Sequence, residues 1–397
     1  MSASEPSFTI GVEEEYLLVD RQTRDLAVDP PRALMDRCEE ILPKRVTPEF
    51  LRCQIEVGTP VCERVEDARA ELAHLRGTIA AVSADYDLAP IAASTHPFAT
   101  WASQQHTDKD RYNALARDIQ MVVRRMLICG MHVHVAIEDE ALRIDLFNQL
   151  PYFLPHLLAL STSSPFWQGH ETGLKSYRLS VFKEMPRTGL PESFDSEDEY
   201  RRTVDVLVRA GMIEDATKVW WDLRPSARFP TLEMRIADVC TRLDDAIAVA
   251  ALFRCLARML WRLRRDNQRW RHYSRFLIEE NRWLAQRHGA AGRLIDFGKG
   301  STTPFGDLME EILELIREDA AHFGCIAAVE HARAIVADGT SADRQLAIWR
   351  EAVADGMDPR QAHQRVVDHL IAETVEGIPD ARMRPVEARG QPADRPH

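Results

Sequence analysis

The sequence predicts an α+β protein with a largely antiparallel sheet, and three observations carry that expectation. Strand-like and helical runs are mixed over roughly residues 8–240, and neighbouring strand candidates at 219–224 and 231–236 have no crossover helix between them. From roughly 242 to 375 the pattern is almost entirely helical. The familiar nucleotide motifs are missing: Gly298-Lys299-Gly300-Ser301 lacks the P-loop spacing, and no complete GxGxxG follows a strand, which argues against a P-loop or doubly wound fold.

The elements follow in order. Helical segments fall near 31–42, 65–86, 107–127 and 139–160, with strands interleaved. In the second part, Val249, Leu252, Phe253, Leu256, Leu260 and Leu263 recur at helical spacing and form a buried stripe. Further helices run at about 274–288, 305–317, 319–337, 341–354 and 359–375. The last 22 residues, Glu376 to His397, hold four prolines and almost no large apolar residue, the composition of a disordered tail. The length, 397 residues, admits two or three domains or one large one.

Composition narrows the function. Hydrophobic residues make up 45% and charged residues 28%, enough for a large core without metal or disulfide staples. A net charge of −12 makes nucleic acid a poor main partner. No run approaches the length of a membrane span, and Met1 to Phe8 has neither the basic nor the apolar region of a signal peptide, so no membrane role is expected. Seven cysteines at 38, 53, 62, 129, 240, 255 and 325 form no CxxC pair, which points to reduced thiols in a cytoplasm. The basic stripe of Arg254, Arg258 and Arg262 reads as a solvated or salt-bridged helix face, and His322, His331, His363 and His369 read as surface residues.

The chemistry concentrates in the strands. Residues i and i+2 of a strand share a face. By that rule Glu13 and Glu15 share a face, as do Arg52, Gln54 and Glu56. His132 and His134 face opposite Met131, Val133 and Val135; Glu233 and Arg235 share a face, and so do Asp222 and Arg224. Five strands with acids, imidazoles and guanidinia on one side and apolar residues on the other imply a catalytic floor. Several carboxylates with one or two imidazoles suit Mg²⁺ or Mn²⁺, and the lack of cysteine pairs and of HExxH disfavours zinc. Arginines among the acids suggest a metal shared with phosphate. The loops 161–169 and 186–191, rich in Ser, Gly and Pro, flank Ser176-Tyr177-Arg178 and are expected to present Arg178 and Arg187 at the rim.

These residues resemble a known family. Gly11-Val12-Glu13-Glu14-Glu15, the Met131–Val135 strand, Ser163-Ser164-Pro165-Phe166-Trp167-Gln168-Gly169, Ser176-Tyr177-Arg178, Pro186-Arg187-Thr188-Gly189, Trp220–Ser226 and Thr231-Leu232-Glu233 are similar to the carboxylate–amine ligases, the YbdK-like or glutamate–cysteine ligase type 2 group. The resemblance spans roughly residues 8–375, read as one catalytic domain. It implies an antiparallel sheet funnel covered by helices, related to the glutamine synthetase catalytic fold, with ATP and divalent metal on the sheet. By the same resemblance Glu13, Glu15 and Glu56 are metal ligands. His132 and Glu233 hold the metal nearest the nucleotide phosphates, and Arg235 meets phosphate or the developing acyl phosphate. Arg178 and Arg187 are rim arginines. Substrates would be small amino-acid-like carboxylates and amines, with glutamate and cysteine implied by the family name, and the enzyme a homodimer. Ala136 and Pro230 stand where the family usually has Gly. A metal-dependent phosphotransferase on a guanidino or other small acceptor, and a non-catalytic nucleotide-binding protein, are the alternative readings.

Overall fold

A computed structural model describes residues 5–109 and 120–378. Residues 110–119 of the helix expected over 107–127 and 379–397 of the expected tail lie outside the described residues; in the described part of the former, Met121–Arg124 is helical and 107–109 are not. The architecture is the expected one, an antiparallel sheet with helices on its apolar face. Its strands are β1 (Ile10–Asp20), β2 (Val46–Pro48), β3 (Gln54–Gly58), β4 (Leu88–Ile91), β5 (Met131–Ala136), β6 (Leu223–Pro225) and β7 (Thr231–Met234). Their order is β6–β7–β5–β1–β3–β2, with β4 paired to the second half of β1, and every pairing is antiparallel.

β1 is the axis of the sheet. Val12 is buried and alternates with the half-buried Gly11, Glu13 and Glu15. Glu14 faces the helices and is fully buried, where the guanidinium of Arg76 grips it at 2.6 and 2.9 Å. Arg76 belongs to the helix Val65–Ala84 and also donates to the carbonyls of Cys240 and Thr241 at 2.8 and 2.6 Å. The Tyr16 hydroxyl donates to Glu14 at 2.5 Å. A single ion pair thus ties the central strand, the first long helix and the chain leading into the helix Leu243–Arg265.

That last helix is buried from Leu243 to Trp261 over most of its circumference, more than the single stripe expected. Its arginines are salt-bridged as expected: Arg258 meets Asp319 at 2.7 Å and Glu5 at 2.8 Å, and Arg262 meets Asp319 at 3.0 Å. Arg254 instead lies over the Phe323 ring and donates to the Glu63 carbonyl.

Several local expectations need correction. The helix expected over 139–160 is two, Glu140–Gln149 and Leu154–Ser161, because Pro151 and Pro155 interrupt the hydrogen-bond ladder. The stretch 319–337 divides at Gly324, whose φ of +66° ends one helix before Ile326–Asp338 begins. Arg293–Asp296 and Ser301–Pro304 form a hairpin inside the part read as helical. The charged segment Glu197–Arg209 is a helix capped by Ser196, which the periodicity reading passed over. His363 is buried rather than exposed, edge-on to Phe166 and hydrogen-bonded to the Pro359 carbonyl. All seven cysteines are buried and free. Among the described residues no helix is long and apolar enough to cross a membrane.

Candidate active site

Strand register assembles the polar face. Glu13 stands opposite His132 on β5 and Gly58 on β3, and Glu15 stands opposite Glu56. Beyond β5, Glu233 is opposite His134, and Arg224 is opposite Glu233. Alternation turns these side chains to one side, where they line a cavity of about 390 Å³. Arg235, just past β7, lines it too.

Two groups of donors on this floor suit a cation. Ligand atoms of Glu13, His134 and Glu233 lie within 4.8 Å of one another, and so do those of Glu15, Glu49 and Glu56. In the second group burial pushes the Glu15 carboxyl up to about 7, with the Glu56 charge adding to the effect. Burial, then Glu49 and Glu13, hold Glu56 well above the usual carboxylate range. Carboxylates crowded this closely repel one another, and a divalent cation among them would reverse the effect. Hard oxygen donors with one imidazole fit Mg²⁺ or Mn²⁺.

The first group is held by hydrogen bonds. Burial opposes ionisation of Glu13, but His132 and His134 outweigh it and keep the carboxylate charged. His132 Nδ1 lies 3.3 Å from Glu13 Oε2, and His134 Nε2 lies 3.6 Å from Oε1. Burial, then the Arg235 charge, push His132 down to about 4, so the ring is neutral at neutral pH. Arg224 grips both oxygens of Glu233 at 2.8 and 3.0 Å, and Arg235 donates to Oε1. Burial would raise Glu233, yet Arg235 and Arg224 keep it ionised. Arg224 is itself fixed by the carbonyls of Thr217 and Val219 at 3.1 and 2.8 Å.

The structure therefore brings together Glu13, Glu15, Glu56, His132, Glu233 and Arg235, all chosen from the sequence. The histidine in the first donor group is His134, however, with His132 beside it against Glu13 and Arg235. Arg178 is a correction in position. It is buried, not raised on a rim, with its guanidinium over the Phe182 ring at 5.5 Å and donating to the carbonyls of Arg235 and Ile236 at 3.2 and 3.4 Å. It still borders the cavity, and its buried Nε–H has no hydrogen-bond partner among the described residues. Arg178 lies so close to Gly130 that a Cβ there would collide with the guanidinium. Arg187 does not join the site: it donates to the Lys218 carbonyl at 2.8 Å and stacks on Trp220.

Two strand-face expectations also change. The chain bends at Asp222 between the short strand Trp220–Trp221 and β6, and Asp222 turns into the core to meet Arg282 at 2.6 Å. Arg52 precedes β3 and pairs with Asp29 at 2.7 Å, away from the floor. Glu49, a donor the sequence reading missed, follows the three-residue β2, which is too short to show a period.

Residues outside the strands complete the lining: Thr217, Lys218, Ser226, Arg228 and Phe229 from the chain around β6, and Phe50, Met126, Ile128, Phe182 and Met185 from other connecting segments and a short helix. Gln54 on β3 donates to the Ile128 carbonyl at 2.6 Å, and Arg125 pairs with Glu184 at 2.8 Å.

Comparison with known proteins agrees with this architecture. Two solved structures share the fold. A glutamate–cysteine ligase of Francisella tularensis, in complex with AMP, aligns with TM-score 0.66 at 14% identity over 94% of this chain and 90% of its own. A bifunctional glutathione synthetase of Pasteurella multocida aligns with TM-score 0.68 at 15% identity, over 93% of this chain and 53% of that longer one. In sequence, a relative from Rhodospirillum rubrum provisionally named glutamate–cysteine ligase 2 is 64% identical over 375 residues, covering 94% of this chain and 96% of the relative. One of the same name from Jannaschia is 57% identical over 370 residues, 93% of this chain and 97% of the relative. Residues 9–369 match the family described as Glutamate-cysteine ligase family 2, which takes in every strand of the floor, and the chain belongs to that family.

Proposed function

We propose that the protein is an ATP-dependent carboxylate–amine ligase working through an acyl phosphate and releasing ADP and phosphate. The observation that carries this reading is the crowding of Glu15, Glu49 and Glu56 beside a second donor group and a guanidinium. Such a floor suits a highly charged nucleotide and a carboxylate brought together. Glu13, Glu233 and His134, and Glu15, Glu49 and Glu56, would hold Mg²⁺ or Mn²⁺, which when bound neutralises phosphate charge. His132 is a further donor next to the first group.

The remaining roles fall to the chain itself. A carboxylate is a poor electrophile, and activation requires its oxygen to attack the γ-phosphorus while the bond to ADP breaks. Arg235, which lines the cavity beside Glu233 and His132, would fork onto the transferring group. Arg224 holds Glu233 in one orientation through two parallel bonds, so that the acid stays aimed. Arg178 contributes a buried positive charge next to Glu15. The amine then attacks the acyl carbon, a C–N bond forms, and phosphate leaves with the C–O electron pair.

Glutamate and cysteine, the substrates in the relatives' names, are the first pair to try, and the reading includes weak activity on them. It also takes the enzyme as a cytoplasmic homodimer, which sedimentation of the purified protein would check for assembly. The mechanism is tested by oxygen isotope transfer. A heavy oxygen in the substrate carboxylate is expected in the released phosphate. AMP as product, or phosphate free of the label, would overturn the acyl-phosphate route.

A further inference from the structure

The helix Arg275–His288 contributes nothing to the sheet, yet it reaches the segments that carry the site arginines. Arg282 and Gln286, both buried, sit four residues apart and so share one face of it. The Arg282 guanidinium grips Asp222 at 2.6 and 3.4 Å, and each partner is less than a twentieth exposed. The Gln286 side chain donates to the Ser180 hydroxyl at 2.7 Å, and its backbone carbonyl accepts from the N–H groups of Lys175 and Ser176 at 2.8 and 3.0 Å. Those contacts bracket Arg178.

Asp222 passes the grip on. Its N–H donates to the Gly189 carbonyl at 2.8 Å, and its own carbonyl accepts from the N–H groups of Arg235 and Ile236 at 2.8 and 3.1 Å. The Arg235 carbonyl accepts from Arg178 at 3.2 Å. The main chain of Arg235 is therefore held on both sides, and one holder is a bend whose side chain is anchored in the core by Arg282. Arg224, which grips Glu233, leaves the same bend two residues on. Neither Asp222 nor Arg282 lines the cavity. A buried ion pair is a weak source of stability, because desolvation offsets its attraction. What a two-pronged guanidinium–carboxylate pair supplies is a fixed direction.

We propose that Arg282 is a positioning residue that acts through the Asp222 bend to aim Arg235, and with it Arg224, at the floor. Its effect on turnover rests on the ligase reading; its effect on where Arg235 lies does not. Arg235 is assigned to the transferring group, so a lost aim should lower kcat and leave nucleotide binding in place.

The test compares the parent with Arg282→Met, with Asp222→Leu plus Arg282→Met, and with Asn281→Ala. Asn281 ties the same helix to the hairpin through Ile295, at 2.7 and 2.9 Å, and serves as a variant that loosens the helix without touching Asp222. ADP release is followed with Mg²⁺, ATP, glutamate and cysteine, or with the best pair of a carboxylate–amine screen, below the Tm of every variant. Arg282→Met is expected to lower Tm and to cut kcat about 100-fold, the cost of misplacing a reacting group by about 1 Å. Its KM values, and its affinity for Mg²⁺-ATP by calorimetry, should stay within about 3-fold of the parent. The double variant strands no charge, so it should recover Tm but not kcat. Asn281→Ala should lower Tm and keep kcat within about 3-fold. Arg282→Lys, with the charge but not the fork, should lose about 10-fold in kcat and replaces Arg282→Met if that variant does not fold. Crystal structures should show the Arg235 guanidinium shifted from Glu233 by about 1 Å in the Arg282 variant. If kcat returns with Tm in the double variant, or Asn281→Ala loses as much kcat as Arg282→Met, or Arg235 is unmoved, the pair is only a brace and the assignment is overturned while the ligase reading stands. If no carboxylate–amine pair yields ADP with the parent, the ligase reading fails, and the position of Arg235 in the crystals alone decides the assignment.

Discussion

Glu14→Gln separates the two faces of the central strand. Glu14 and Arg76 are both fully buried, and Arg76 grips both carboxylate oxygens. Gln keeps the shape and one carbonyl acceptor but removes the charge. Arg76 then remains a cation in the core, supported by the carbonyls of Cys240, Thr241 and Thr374. Breaking a buried pair by neutralising one partner costs about 3–5 kcal/mol. An unfolding entropy of about 2 cal/mol/K per residue over roughly 370 residues gives about 0.8 kcal/mol/K, so the expected fall in Tm is about 4–6 °C. Removing both charges in Glu14→Leu with Arg76→Met should restore much of the loss, since two apolar groups leave no stranded charge. Metal affinity and kcat at 25 °C should change little. Calorimetry with a steady-state assay on the same preparations decides. A Tm unchanged within 1 °C together with lost turnover would mean that Glu14 faces the cavity and that the strand phase is wrong.

The acids across the strand should behave in the opposite way. Glu13→Gln, Glu49→Gln and Glu56→Gln are each expected to keep the Tm of the metal-free protein and lose about 100-fold or more in kcat/KM, as when one preorganised electrostatic contact is removed, while Glu233→Gln should lose as much activity and also lower Tm, because it strands the charges of Arg224 and Arg235. In chelator, ATP binding should be negligible by calorimetry and should return with Mg²⁺ or Mn²⁺; equal affinity without metal would sink the floor as a shared cation site. Glu15 stays protonated in the fold up to about 7 and ionises earlier when unfolded, so it contributes a loss of stability as pH rises from about 4.5 to about 7, against which the buried His96, His132 and His156, held near 4, contribute a gain. In chelator, Glu15→Gln should therefore rise in Tm more steeply over this window than the parent, and identical slopes for the two would contradict the crowding of these acids. Gly130→Ala should displace the Arg178 guanidinium and lower kcat/KM at least about 10-fold with a folded protein; unchanged kinetics would show that Arg178 has room to move.

Alternation made much of the floor readable in advance. Glu13 and Glu15, His132 and His134, and Glu233 and Arg235 each sit two apart in a strand with apolar residues between them, so their common face follows from the pleat. Their register does not follow, because it depends on which strands pair, and the donor groups Glu13–His134–Glu233 and Glu15–Glu49–Glu56 are products of register. Glu49 lies past a strand of three residues and carries no periodic signal. Asp222 and Arg224 satisfy the strand rule on paper, but the chain bends between them and sends Asp222 to Arg282. His363 looks like a surface residue because its neighbours in sequence are polar; Phe166 and Trp349, distant in the chain, cover it. The break near 150 is carried by the sequence itself, since Pro151 and Pro155 lack the backbone donors that a continuous helix needs.

Where each part of the cavity is anchored has a consequence for how such a protein changes over time. Glu13, Glu15, Glu56, Glu233 and Arg224 sit on strands locked by ladders of hydrogen bonds, and a slip of one residue would bury two carboxylates and expose the core. Phe50, Met126, Ile128, Phe182 and Met185 come from connecting segments and a short helix, where substitutions and small insertions disturb little beyond their own surroundings. Recognition and phosphoryl chemistry are thus mechanically separable. Drift in the wall can re-aim the enzyme toward new small molecules while the reaction on the sheet stays intact, and chains alike on every strand can differ in what they join.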